Sequence, residues 1–297
     1  MFRRPVVASV AWLLLLAPTV LRAEECYFDS GGVKIHYVVE GKGEPVLLVH
    51  GFAANIYFQW GMPGILKTLA KDYQVIAMDC RGHGQSGKPH DPRMYGMEVV
   101  EDLVRLLDHL KIRKAHVVGY SLGAFITLKL ITTHPDRLLS ATLGGGGWTK
   151  TIDTHFQDEL AESLEQGKGI RPLLLMLNPP GRPKPTEEQL RLASLLLAAV
   201  NDIKALVAAT RGLRAVFTIS AEDLQRCKVP TLSIIGDLDP FQKGVDDLKG
   251  ELRDFKVIVI PGADHMNTFW RPEFLRGVKE FLRTHPAEQT ETPGCCP

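Results

Sequence analysis

The sequence predicts an α/β fold, a mostly parallel sheet with helices on both faces. Three observations carry this. Short runs apolar on both faces recur along the chain and stop at turn residues, as strands buried on both faces of a parallel sheet do. Helical patterns fill the gaps between them. The pentapeptide Gly119-Tyr120-Ser121-Leu122-Gly123 stands where a strand pattern gives way to a helical one.

The elements follow in order. Arg3 and Arg4 precede an apolar run from Val6 to Leu21, then Arg22-Ala23 and acidic Glu24-Glu25. This is the layout of a secretory signal, with cleavage expected after Ala23 and export, secreted or periplasmic, as its consequence. An uncleaved anchor is the alternative, but the run is short for a span of ~20 residues and holds Pro18. A lipoprotein would need a cysteine directly after the cleavage site, and Cys26 is three residues from Ala23. Gly31-Gly32 punctuates two strand-like runs, the second from Val33 to Val39. Further apolar runs are Val46–Val49, Val75–Met78, Val117–Val118, Leu232–Ile235 and Val257–Ile260. Val99, Val100, Leu103, Leu106, Leu107 and Leu110 recur at helical spacing, as do Leu122, Phe125, Ile126, Leu130 and Ile131. From about Trp148 to Gly212 the pattern is helical only, with a Pro/Gly-rich loop over 178–185. Thr186 caps a helix there, with Gln189 as its capping-box partner and Leu190, Leu195 and Leu196 as apolar surface.

The expected organisation is a signal at 1–23, a core at 24–147, a helical cap at 148–212, the rest of the core at 213–286 and a flexible tail at 287–297. The alternative for 148–212 is ordinary surface helices with no role over a site.

Composition narrows the function. The chain has 297 residues, 45% hydrophobic and 23% charged, with a net charge of +1. A disordered chain is excluded, and there is no broad basic field for nucleic acid. Loss of residues 1–23 would remove three arginines and leave a charge of −2. Five cysteines (Cys26, Cys80, Cys227, Cys295, Cys296) are too few for a disulfide scaffold and have no zinc-ligand spacing. Cys80 and Cys227 read as small buried apolar residues. No metal or organic cofactor is expected.

Gly119 to Gly123 fits G-x-S-x-G between an apolar strand and an apolar helix, the context of a nucleophile elbow. The turn is sharp, so side chains at 119 and 123 would clash, while the Ser121 hydroxyl is lifted clear at the sheet's C-terminal edge. The following helix directs its N-terminus at the same place, favouring negative charge. A serine hydroxyl needs a base. Among ten histidines, His265 follows the last apolar run and so falls at that edge. His116 lies within a strand, His36, His109, His134 and His285 read as surface or element-end residues, and His83 lies in a glycine-rich turn. The base needs a carboxylate to hold its tautomer. Asp237 and Asp239 both follow the preceding run; Asp239 is favoured because its loop has room to turn back. Asp79 and Asp264 are weaker candidates. The backbone N–H groups of Phe52 and Leu122 are the expected oxyanion donors, with His50 bracing the first loop. Trp148, Leu174, Met176 and Phe241, with Phe52, Leu173 and Leu175, are candidate lining for an apolar substrate pocket.

With these residues assembled, the chain resembles the α/β-hydrolase superfamily, in its cap-bearing serine-esterase-like branch. The resemblance rests on His50-Gly51-Phe52, Asp79 to Ser86, the elbow, Gly236 to Asp239 and Gly262 to His265, in the family's order. It implies an eight-stranded, mostly parallel sheet with the cap inserted after strand six, and a cofactor-free serine hydrolase with Ser121, His265 and Asp239 as its triad. The expected substrate is a small ester or related acyl compound, with membrane contact only through an uncleaved N-terminal signal. A lactone or carbon–carbon hydrolase and a non-catalytic binding module remain as alternatives. Two residues qualify the resemblance. Asp264 stands where the family usually has glycine. Serine, not aspartate, is at the elbow, which speaks against the dehalogenase and epoxide-opening branches.

Overall fold

A computed structural model describes residues 24–150 and 154–287. The signal segment, Cys295, Cys296 and the tail beyond 287 lie outside the described residues.

Eight strands form one sheet: β1 (Glu24–Ser30), β2 (Val33–Glu40), β3 (Pro45–Val49), β4 (Gln74–Met78), β5 (Ala115–Tyr120), β6 (Leu138–Gly144), β7 (Thr231–Gly236) and β8 (Phe255–Ile260). Their order is β1-β2-β4-β3-β5-β6-β7-β8. β2 runs against both of its neighbours, and every pairing from β4 to β8 is parallel. Gly31 and Gly32, at φ +63° and +84°, make the two-residue turn joining β1 to β2, where both central residues need a positive φ. Because β3 and β5 to β8 point the same way, the loops after them share one edge.

The helices are α1 (Ile65–Leu69), α2 (Met97–His109), α3 (Leu122–Thr133), α4 (Thr154–Glu165), α5 (Arg171–Met176), α6 (Glu187–Val200), α7 (Ile203–Gly212), α8 (Arg214–Phe217), α9 (Ala221–Arg226), α10 (Gln242–Leu248) and α11 (Pro272–Arg283). The central strands split their side chains between two cores. Leu47, Val49, Ile76, Met78 and Val117 join the cluster under α2 and α3. Val46, Leu48, Val75, Ala77 and Val118 join the cluster under α1 and α11. Period-two alternation puts successive residues on opposite faces, so strands covered on both sides are apolar throughout.

Two readings need correction. β8 is not buried on both faces: it is the sheet's last strand, and Val259 is 40% exposed. His36 is not a surface residue but a buried one, because it faces Asp79 across the β2–β4 pairing.

Helices α4 to α9 occupy the interval between β6 and β7. α4 to α7 form a small core of their own, Leu160, Leu164, Leu197 and Leu206, packed against Phe52 and Ala53 of the β3 loop. The capping box on α6 is present, with Thr186 and Gln189 exchanging side-chain and backbone bonds. Leu190 is buried, whereas Leu195 and Leu196 are more than half exposed. Among the described residues no single helix is long and apolar enough to cross a membrane.

Candidate active site

Ser121 stands between β5 and α3 at φ +53° and ψ −117°, a conformation costly for any residue with a side chain. It is held by its own N–H, which donates to Gly144 O at 2.8 Å, and by its carbonyl, which accepts from Ala124 and Phe125. The glycines follow from crowding. A Cβ at 119 would overlap the Gly123 carbonyl, and a Cβ at 123 would overlap the Val49 carbonyl. β3, β5 and α3 therefore approach more closely than side chains allow.

His265 Nε2 lies 3.0 Å from Ser121 Oγ, and His265 Nδ1 lies 2.9 Å from Asp239 Oδ2. The carboxylate keeps the ring proton on Nδ1 and leaves Nε2 free to accept. Asp239 is buried and anchored, its Oδ1 accepting from the Phe241 N–H at 2.9 Å. Asp237 instead accepts from the Gly262 N–H at 2.7 Å, bracing the β8 loop from the far side. Asp264 caps its own turn by accepting from the Met266 and Asn267 amides. Arg182, from the loop before α6, lies 3.5 Å from Asp264.

Tyr120 holds the histidine from below. Its hydroxyl donates to the His265 carbonyl at 2.6 Å, and burial pushes its phenol well above the ordinary range, keeping it a donor. The sequence reading passed over Tyr120 as the variable position of G-x-S-x-G, because the bond spans 145 residues.

The loop after β3 is braced as expected. His50 Nδ1 donates to Gly51 O at 2.8 Å, and its Nε2 accepts from the Cys80 N–H at 3.0 Å. Burial lowers its pKa, so the ring stays neutral in this role. Asp79 gathers His36 at 2.8 Å and the amides of Ile56 and Gln85. Burial alone would raise the Asp79 carboxyl; the His36 bond, His50 and these amides outweigh it and hold it low. Asp79 is thus a bracket for two loops and has no contact with His265. The Phe52 and Leu122 amides have no hydrogen-bond partner among the described residues, and both residues line the cavity that Ser121 opens into.

That cavity is about 500 Å³. Phe52, Trp148, Leu173, Met176 and Phe241 line it. Leu174 does not, and neither does Leu175. On α5 residues three or four apart share a face, so Leu173 and Met176 face the cavity together and the intervening Leu174 and Leu175 point elsewhere. Phe125, Phe156 and Phe217 also line it. They were missed because they come from α3, α4 and α8, and only packing brings those helices together. Among the described residues, no group of three or more His, Cys, Asp or Glu is arranged to hold a metal ion. Cys26, Cys80 and Cys227 are free thiols, the last two buried.

A serine on a strained strand-to-helix turn, facing a histidine and an aspartate from later loops, on a sheet of this order, defines the α/β-hydrolase class. Residues 44–172 match the family described as "alpha/beta hydrolase fold". Epoxide hydrolase 3 of Siraitia grosvenorii is 35% identical over 116 residues, 39% of this chain and 36% of that protein. The dihydrolipoyllysine-residue acetyltransferase component of the acetoin cleaving system of Pseudomonas putida is 27% identical over 270 residues, 87% of this chain and 66% of that one. The solved structure of Est816, an N-acyl homoserine lactone degrading enzyme, superposes with a TM-score of 0.71 at 25% identity, covering 86% of this chain and all of that one. The chain spans about two fifths of the length of the first curated relatives it matches. The chain thus has the α/β-hydrolase fold.

Proposed function

We propose that this protein is a serine hydrolase that cleaves a carboxylic ester, or a related acyl bond such as a lactone, through a covalent acyl-enzyme. The observation that carries the reading is the chain Asp239–His265–Ser121, with contacts of 2.9 and 3.0 Å. His265 takes the Ser121 proton as Oγ attacks the carbonyl carbon. Asp239 stabilises the imidazolium. The amides of Phe52 and Leu122 receive the oxyanion. The alcohol departs with the proton from His265, and water repeats the sequence to release the acid. Aspartate is the nucleophile in epoxide-opening and dehalogenating relatives, so Ser121 favours acyl chemistry over theirs. In this reading residues 148–212 act as a cap over the substrate, and residues 1–23 direct export, with cleavage after Ala23.

The test is hydrolysis of p-nitrophenyl esters of increasing acyl length, beside labelling with an active-serine phosphonate. Wild type should turn esters over and label at Ser121. Ser121→Ala should lose at least ~10³-fold in kcat/KM with its fold intact. Folded wild-type protein that neither labels nor hydrolyses would overturn the reading in favour of a binding module.

A further inference from the structure

Resting on the serine-hydrolase reading, we propose that Gln157 and Thr210 select a substrate whose buried portion carries a hydrogen-bond donor, a hydroxyl or an amide N–H, over one that is plain hydrocarbon. The cavity walls are aromatic and aliphatic except at a few positions. Lys243 and Asp247 are charged, but they pair with each other at 2.9 Å one helical turn apart on α10. Gln157 on α4 and Thr210 on α7 differ from them. The Gln157 Oε1 is shut off from solvent and has no hydrogen-bond partner among the described residues. Thr210 is buried, and its hydroxyl donates to Leu206 O at 2.8 Å, so toward a ligand its oxygen can only accept. α4 and α7 pack along each other, and both residues line the cavity.

The energetics give this arrangement a direction. A buried carbonyl left unpaired costs about 1–3 kcal/mol, and leucine at 157 would avoid that cost while lining the cavity equally well. The terminal torsion of glutamine is broad and roughly two-fold, so the Gln157 amide can present either end to a ligand without moving α4, and the Thr210 oxygen, which only accepts, makes a donor the better partner. A bound hydroxyl or N–H supplies the missing partner. A hydrocarbon of the same length leaves the acceptor unpaired, and sites built to pair a substrate group reject the analogue lacking it.

The test compares kcat/KM for p-nitrophenyl octanoate with a series carrying a hydroxyl at successive carbons and a matched series carrying a ketone. At least one hydroxy isomer should exceed octanoate by about 10-fold or more. Its ketone, which only accepts, should gain less, since only the Gln157 amide N–H can meet it. The ratio should fall toward one in Gln157→Leu, and in Gln157→Met as a second variant should the first melt early; Thr210→Val should lower it partially. Equal rates across the series, a ketone preference, or a hydroxyl preference that survives both Gln157 substitutions would overturn the proposal. Calorimetric binding of the matching N-propyl amides to Ser121→Ala reads the same preference without chemistry. A preference there with no ester turnover and no active-serine labelling would refute the hydrolase reading and leave the selection standing. Turnover without preference does the reverse.

Discussion

Asp237 and Asp239 stand two residues apart on one loop, and only Asp239 reaches His265. Asp239→Asn should hold the ring in the wrong tautomer and lower kcat roughly 10³- to 10⁴-fold, with a similar thermal midpoint. Asp237→Asn should leave kcat within a few-fold, because its carboxylate braces the backbone of the β8 loop. Steady-state kinetics on the two variants distinguishes the roles, and equal losses would assign the base's partner wrongly. His83 carries a second prediction at this scale. Burial pulls it down to about 3, and burial also lowers His50. Between pH ~6.5 and ~3 the unfolded chain binds a proton at His83 and the folded protein does not, so acid favours unfolding. His83 contributes up to about 1.4 kcal/mol per pH unit across that window, and His50 acts in the same direction. The depressed carboxyl of Asp79 acts in the same direction, its stabilisation being lost as pH falls. The thermal midpoint should therefore fall steadily below pH 6.5, and less steeply in His83→Gln. A flat profile from pH 7 to 4 would refute this.

At the scale of elements, the turn from β5 into α3 depends on two missing side chains. Gly123→Ala would drive a Cβ into the Val49 carbonyl, which is backbone and cannot step aside. It should lower the melting temperature sharply or prevent soluble expression. Gly250→Ala, where nothing lies within 4 Å, should shift the midpoint by less than about 2 °C. Comparable losses in both would mean that glycine content, not the crossing of β3 and α3, governs the effect. The elbow was legible in the sequence because spacing, strand and helix are all local there. β6 was not read from apolar runs. Its residues Ser140 and Thr142 are buried hydroxyls, and Ser140 lies within hydrogen-bond distance of His116 Nδ1 at 2.8 Å. A buried strand holding hydroxyls, of which Ser140 bonds across the sheet and Thr142 has no hydrogen-bond partner among the described residues, breaks the apolar pattern without leaving the core. β8 failed in the opposite sense. It is apolar in sequence yet half-exposed, being the last strand of the sheet among the described residues.

At the scale of the molecule, Arg81 and Asp102 join the β4 loop to α2 through two bonds of 2.6 Å, and Arg81 also donates to the carbonyls of Ser30 and Met94. Both side chains are essentially fully buried. Arg81→Met should cost about 3–5 kcal/mol by stranding the Asp102 charge. The double variant Arg81→Met, Asp102→Leu should recover most of that, measured by urea unfolding. If the double variant were no better than the single, the ion pair itself would supply the stability rather than the pairing of buried charge.

The sequence by itself determined the α/β class, most of the strands, the serine and its turn, and the sheet edge at which histidine and acid fall. Those features depend on residues close together in the chain, where periodicity and glycine crowding act. Tertiary structure alone decided which of two acids meets His265, that Tyr120 holds its carbonyl, that His36 is buried against Asp79, and that Phe125, Phe156 and Phe217 rather than Leu174 wall the cavity. Each of those contacts joins segments far apart in the chain, and its geometry is set by how helices pack on the sheet, which local pattern does not encode.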